Sequence, residues 1–214
     1  AVCIDQTGKL WIGTDGGGIN IFDKDKRIAT YTTKDANIHA NSVQAACCDS
    51  KGNLWFGLFR KGIVYFDHAR QAFKQILPPS INHIDVRSIF EDRNGIMWIG
   101  SSEGIYQIDR DTQQIIGHIN LPENLVRAVI ADTQGRIWAG TFGSGLFLYS
   151  ADLKPIATFN TSTEFASNTI EYIYEDKKQN VWVATGEGLV CFSPHSASAY
   201  RLYQRADGLE NTHI

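Results

Sequence analysis

The stretch Asp92-Arg-Asn-Gly-Ile-Met-Trp-Ile-Gly100 occurs in five versions along the chain. The others are Asp5-Gln-Thr-Gly-Lys-Leu-Trp-Ile-Gly13, Asp49-Ser-Lys-Gly-Asn-Leu-Trp-Phe-Gly57, Asp132-Thr-Gln-Gly-Arg-Ile-Trp-Ala-Gly140 and Asp176-Lys-Lys-Gln-Asn-Val-Trp-Val-Ala184. The last has lost both glycines, to Gln179 and Ala184. Every tryptophan of the chain falls on this ruler: Trp11, Trp55, Trp98, Trp138 and Trp182, spaced by 44, 43, 40 and 44 residues.

Working outward, Gly-Ile or Gly-Leu follows each Trp by six or seven residues, at Gly18, Gly62, Gly104, Gly145 and Gly188. A closing Phe22-Asp23, Phe66-Asp67, Ile108-Asp109, Tyr149-Ser150 or Phe192-Ser193 comes next. The unit parses into four short strands. The first ends at the Asp, as in Val86 to Asp92. A turn follows in which Asp bonds nearby backbone and Gly supplies a positive φ. The Trp strand is second, Gly-Ile-x-x-Phe-Asp third, and a run such as Ala72 to Leu77 fourth. Four strands per ~43 residues is the signature of a propeller blade. A helical solenoid of this period needs amphipathic helices, and none is visible. The fold class expected is all-β: a β-propeller segment of five four-stranded antiparallel blades. The expected blades are 1–42, 43–85, 86–125, 126–169 and 170–213. One blade cannot bury both faces alone, so each Trp is expected to pack between neighbouring sheets.

Composition bounds the function. The chain has 214 residues, a net charge of −3, and 43% hydrophobic and 11% aromatic residues. That excludes a disordered or coiled-coil chain, and no polybasic surface for nucleic acid or anionic membrane is implied. No apolar run approaches the ~18 residues of a membrane span, and no signal peptide is visible. The chain opens inside a first strand, and Asn211-Thr-His-Ile214 resembles the lead-in Asn168-Thr-Ile170. The segment is therefore expected to be an open arc of a larger ring, with apolar blade faces available for a homodimer or another partner.

Leu10-Trp-Ile-Gly-Thr14 with Gly17-Gly-Ile19 and Phe22-Asp23 resembles the two-component regulator propeller repeat. Sialidase-type Asp boxes place Trp five residues after Asp; here it is six in every copy. The resemblance implies a seven-bladed parent ring. It also implies a periplasmic sensor region in a membrane-anchored hybrid histidine kinase, recognising an oligosaccharide. On that reading the segment itself is non-catalytic and needs no cofactor. A polysaccharide lyase or glycosidase of propeller fold, or a purely structural scaffold, are the rival readings.

Candidate ligand residues follow from the expected geometry. Loops joining second to third strands, and each blade to the next, share one end of the blades. Gln44, Arg87, Arg127 and Glu171 hold one repeat position near that end of the innermost strands. Surrounding positions are aliphatic, so this polar set either lines a channel mouth for a ligand or forms a mutually paired ring. Arg forks suit carboxylates and sugar hydroxyls. Phe59, Arg60 and Lys61 replace the small turn of other blades, and Phe142 occupies a similar loop. These aromatics either stack on sugar rings or tuck beneath their own loops. The site expected is Phe59, Arg60, Arg87, Arg127, Phe142 and Glu171. His39, His83 and His213 read as solvated loop residues, Asp23-Lys-Asp25 and Asp109-Arg-Asp111 as plain turns, and the four cysteines as buried free thiols. No metal is expected, since three or four converging ligands are required. No catalytic triad or carboxylate pair can be named.

Overall fold

Each Asp-to-Trp stretch closes a hairpin. In the computed structural model, which describes residues 1–34, 38–68, 70–77, 81–121, 125–194, 196 and 199–211, Oδ1 of Asp49 accepts the backbone N–H groups of Lys51 and Asn53 at 3.0 and 2.8 Å. Its Oδ2 accepts the indole Nε1–H of Trp55 at 2.9 Å. The same Asp-to-Trp bond recurs from Trp11 to Asp5, Trp98 to Asp92, Trp138 to Asp132 and Trp182 to Asp176, at 2.8 to 3.0 Å. One carboxylate thus holds the turn and orients the ring. Gly8, Gly52, Gly95 and Gly135 take positive φ in this turn, and Gln179 does so too, at 64°. Loss of that glycine leaves the fifth turn in place.

The described residues form five four-stranded sheets, each running in chain order and antiparallel throughout. They divide into two units, residues 1–119 and 120–214. The first unit holds three sheets. These are β1 (Val2–Ile4), β2 (Leu10–Gly13), β3 (Ile19–Asp23) and β4 (Lys26–Tyr31); then β5 (Val43–Cys48), β6 (Leu54–Leu58), β7 (Gly62–Asp67) and β8 (Ala72–Gln75); then β9 (Val86–Glu91), β10 (Ile96–Ser101), β11 (Gly104–Asp109) and β12 (Ile115–Ile119). The second holds two: β13 (Val126–Ala131), β14 (Ile137–Thr141), β15 (Leu146–Tyr149) and β16 (Pro155–Phe159); then β17 (Ile170–Glu175), β18 (Val181–Thr185), β19 (Gly188–Phe192) and β20 (Tyr200–Tyr203).

Within the first unit β1 packs on β5 and β5 on β9; within the second, β13 packs on β17. Strand β6 is buried along its whole length because its alternating side chains serve two layers. Leu54, Phe56 and Leu58 join Trp11 and Phe66, whereas Trp55 joins Val86, Met97 and Ile99. Trp11 and Trp55 are therefore core between sheets, as expected. Trp138 likewise lies 4.9 Å from Phe192 of the neighbouring sheet. Trp182, by contrast, is half-buried beside Tyr203 of its own sheet.

The glycine two residues after Trp11, Trp55 and Trp138 sets how closely sheets approach. A Cβ on Gly13 would lie 2.4 Å from Val43, on Gly57 2.6 Å from Val86 and on Gly140 2.3 Å from Ile170. The first residue of one innermost strand therefore seats in the glycine of the preceding blade. At the turn end, polar clasps join the same neighbours. Ser50 donates to Glu91, which also takes Arg110 at 2.7 Å, and Thr133 donates to Glu175 through its N–H and hydroxyl.

Candidate functional site

The innermost strands β5, β9, β13 and β17 carry an irregularity at one position. Val43 pairs with Leu58 and Ala45 with Gly57, so Gln44 has no partner across the ladder. Arg87 is skipped between Val86 and Ser88, Arg127 between Val126 and Ala128, and Glu171 between Ile170 and Tyr172. A bulge of this kind re-aims a side chain relative to the alternation around it. The variable polar set thus sits on a repeated backbone device that the sequence pattern did not reveal.

The loop after each second strand lies beside the bulge. Phe59 N–H donates to the Ser42 carbonyl, Ser102 N–H to Asp85 and Phe142 N–H to Leu125, at 2.9 to 3.1 Å. This holds the side chains at 59, 102 and 142 next to the innermost strand of their own blade. Phe59 is 39% and Phe142 51% exposed, so neither ring tucks beneath its loop.

In the first unit, Arg60 lies with its guanidinium 5.1 Å from the Phe59 ring centroid. Arg60 adopts φ 51° and donates its backbone N–H to Oδ1 of Asp85 at 2.9 Å. Oδ2 of the same carboxylate faces Arg87 Nη2 at a long 3.5 Å. The structure therefore brings Arg60, with Phe59 under its guanidinium, and Arg87 together around Asp85, the residue just before β9. Beside them, His83 Nε2 lies 3.1 Å from Glu103, which also accepts from the Tyr106 hydroxyl at 3.3 Å. Burial first, and the Glu103 carboxylate second, push the pKa of the Tyr106 phenol up to about 12.

In the second unit, Arg127 stacks 4.4 Å above the Phe142 ring and forms an ion pair with Glu171. Arg127 and Glu171 thus meet the mutually paired alternative, whereas in the first unit Gln44 Oε1 and Arg87 Nε find no partner among the described residues. The six expected residues fall into two trios, one per unit.

His39 is exposed, and His213 lies outside the described residues, as do Asp35 and Pro78 of the connecting segments. Asp109 accepts the Thr112 N–H and hydroxyl in its turn, and Asp111 pairs with Lys51 and Arg110. All four cysteines are free, but they are half-buried rather than buried. Burial, reinforced by neighbouring thiols and carboxylates, pushes Cys3 and Cys47 up to about 12. A concavity of about 390 Å³ lies at the opposite, turn end of the first unit, lined by Asp5, Lys9, Tyr31, His68 and Gln71 among others. It shares no residue with the two trios.

Four stretches, residues 37–60, 80–103, 120–143 and 164–187, match the two-component regulator propeller family. The chain carries two-component regulator propeller repeats. Each matched stretch of these repeats runs from the lead-in of an innermost strand to the loop beside its bulge. The extracellular domain of BT3049, described as a hybrid two-component system of B. thetaiotaomicron, is 44% identical with a TM-score of 0.92, over 100% of this chain and 29% of that one. Histidine kinase P4 of Formosa agariphila is 28% identical over 106 residues, which take in 44% of this chain and 8% of that protein. Streptogramin B lyase shares the fold alone, at 15% identity and a TM-score of 0.77, over 100% of this chain and 70% of the lyase. The propeller repeats thus span under a third of the two signalling relatives, and the segment is an extracytoplasmic propeller module.

Proposed function

We propose that this segment is a non-catalytic sensing module that binds a glycan fragment at the loop end of its blades, in the periplasmic part of a membrane-anchored two-component protein. One observation carries the reading: each unit presents an exposed aromatic ring with a guanidinium over it, beside a side chain aimed by a bulge. An aromatic face packs against the C–H groups of a sugar ring, and convergent polar groups fix its hydroxyls. Histidine kinase and hybrid two-component relatives support the signalling context.

Among the described residues, three carboxylates at this end are engaged. Asp85 holds Arg60 and Arg87, Glu171 holds Arg127, and Asp15 holds the Ser42 hydroxyl at 2.7 Å. A glycosidase needs two carboxylates free to act as acid and as base or nucleophile, so this arrangement favours binding over hydrolysis. The test is calorimetric titration of the chain, and of F59A and R87A, against a glycan panel, with product analysis of each mixture. Binding weakened in both variants, with the glycan recovered intact, is expected. Unchanged affinity in both removes the site, and turnover removes the non-catalytic reading.

A further inference from the structure

We infer that Gln44 and Arg87 together hold one hydroxyl group of the bound sugar, and that this subsite discriminates against a carboxylate. The inference rests on the glycan-binding reading and names the ligand group that one part of that site accepts.

Two buried polar atoms at the bulge position have no hydrogen-bond partner among the described residues: Oε1 of Gln44 and Nε of Arg87. The third such atom, Oε1 of Gln75, is on β8, where the amide nitrogen is spent on the Lys61 carbonyl. Gln44 and Arg87 occupy the same register position on β5 and β9, two innermost strands that pack side by side. At the equivalent position on β13 and β17, Arg127 reaches Glu171 directly. In the first unit Arg87 instead turns back toward Asp85, over a long 3.5 Å contact. Its Nε–H and the Gln44 carbonyl oxygen are left over, one a donor and the other an acceptor.

A buried donor and acceptor left unpaired cost free energy that a matching partner recovers. A hydroxyl donates and accepts at once, so it offers each of the two atoms the partner it lacks. A carboxylate has no proton to give Gln44, and Asp85 already balances the Arg87 charge at that distance. Phe59, 39% exposed on the loop that follows β6, supplies the apolar face against which a sugar ring rests.

The test is nitrogen-15 NMR of the chain titrated with methyl α-D-glucopyranoside, methyl α-D-galactopyranoside and methyl α-D-glucopyranosiduronate. The Arg87 Nε–H resonance is assigned by its absence in R87K, and the Gln44 amide by its absence in Q44L. A neutral glycoside is expected to shift both resonances saturably, and the uronate to shift them less. Q44L should weaken that binding roughly fivefold, the worth of one hydrogen bond. Saturable shifts at residues 58–61 that leave Arg87 Nε–H and the Gln44 amide unmoved overturn the inference and leave the glycan reading standing. No saturable shift anywhere, with all three probes, means bound water only at this pair and overturns the inference. The glycan reading itself is then decided by the oligosaccharide panel.

Discussion

The indole Nε1–H of Trp55 donates to Oδ2 of Asp49 at 2.9 Å, with the ring fully buried and Asp49 3% exposed. That pair ties the turn after β5 to the middle of β6, and its counterparts do the same in every blade. Replacing Trp55 by Phe keeps an aromatic in the layer but deletes the donor and part of the ring. The expected loss is about 2–4 kcal/mol, from a cavity plus a hydrogen bond to a charged acceptor. Trp182→Phe, at a half-buried ring, should cost less. Urea unfolding midpoints of the two variants check the order.

Acid should act on the same pair in the fifth blade. The Trp182 hydrogen bond, followed by that of Asn180, lowers Asp176 to about 2. A carboxylate whose folded pKa is depressed stabilises the fold above its unfolded value, near 4, and loses that contribution as pH falls toward the folded one. Stability should therefore fall between about pH 4 and pH 2. Trp182→Phe should flatten this part of the profile, as measured by thermal midpoints across that range.

Close approach of the blades at Gly140 predicts a steric penalty. A Cβ there would lie 2.3 Å from Cγ2 of Ile170, so Gly140→Ala should destabilise by about 1–3 kcal/mol through overpacking. The penalty should shrink in an Ile170→Ala background, because the clashing methyl is gone. A double-mutant cycle measures the coupling. Ala184, at the equivalent position of the fifth copy, should tolerate Gly within about 1 kcal/mol.

Arg127 is held between the Phe142 ring and the Glu171 carboxylate, with side chains 25% and 36% exposed for the two ions. Glu171→Gln should change stability by no more than about 1 kcal/mol, because solvent screens the pair. It should also release the Arg127 charge for an anionic ligand. Affinity for an acidic oligosaccharide is then expected to rise relative to a neutral one, read by calorimetry at low and at moderate salt.

The fold was legible because it is written five times. Asp-x-x-Gly-x-x-Trp fixes a turn and a buried ring locally, and the period fixes how many such units there are. The Asp49–Trp55 bond was not legible as such, since a six-residue spacing becomes a contact only when the hairpin folds the indole back over the turn. Gly57 stood in the sequence only as the last residue of its repeat but is a seat for Val86, a relation between blades that no single unit displays. Of the site, the variable positions Arg87, Arg127 and Glu171 stood out against aliphatic neighbours. The bulges that aim them, and Asp85 beside them, depend on pairing registers that residue types alone leave open.

Hydrogen-exchange footprinting of the chain with an oligosaccharide selected from the panel tests the central claim most directly. Glycan recognition at the loop end predicts slowed exchange within residues 58–61 and 84–88, with the hairpin turns unchanged. Protection confined to residues 5–9 and 66–68, at the turn-end concavity, contradicts it.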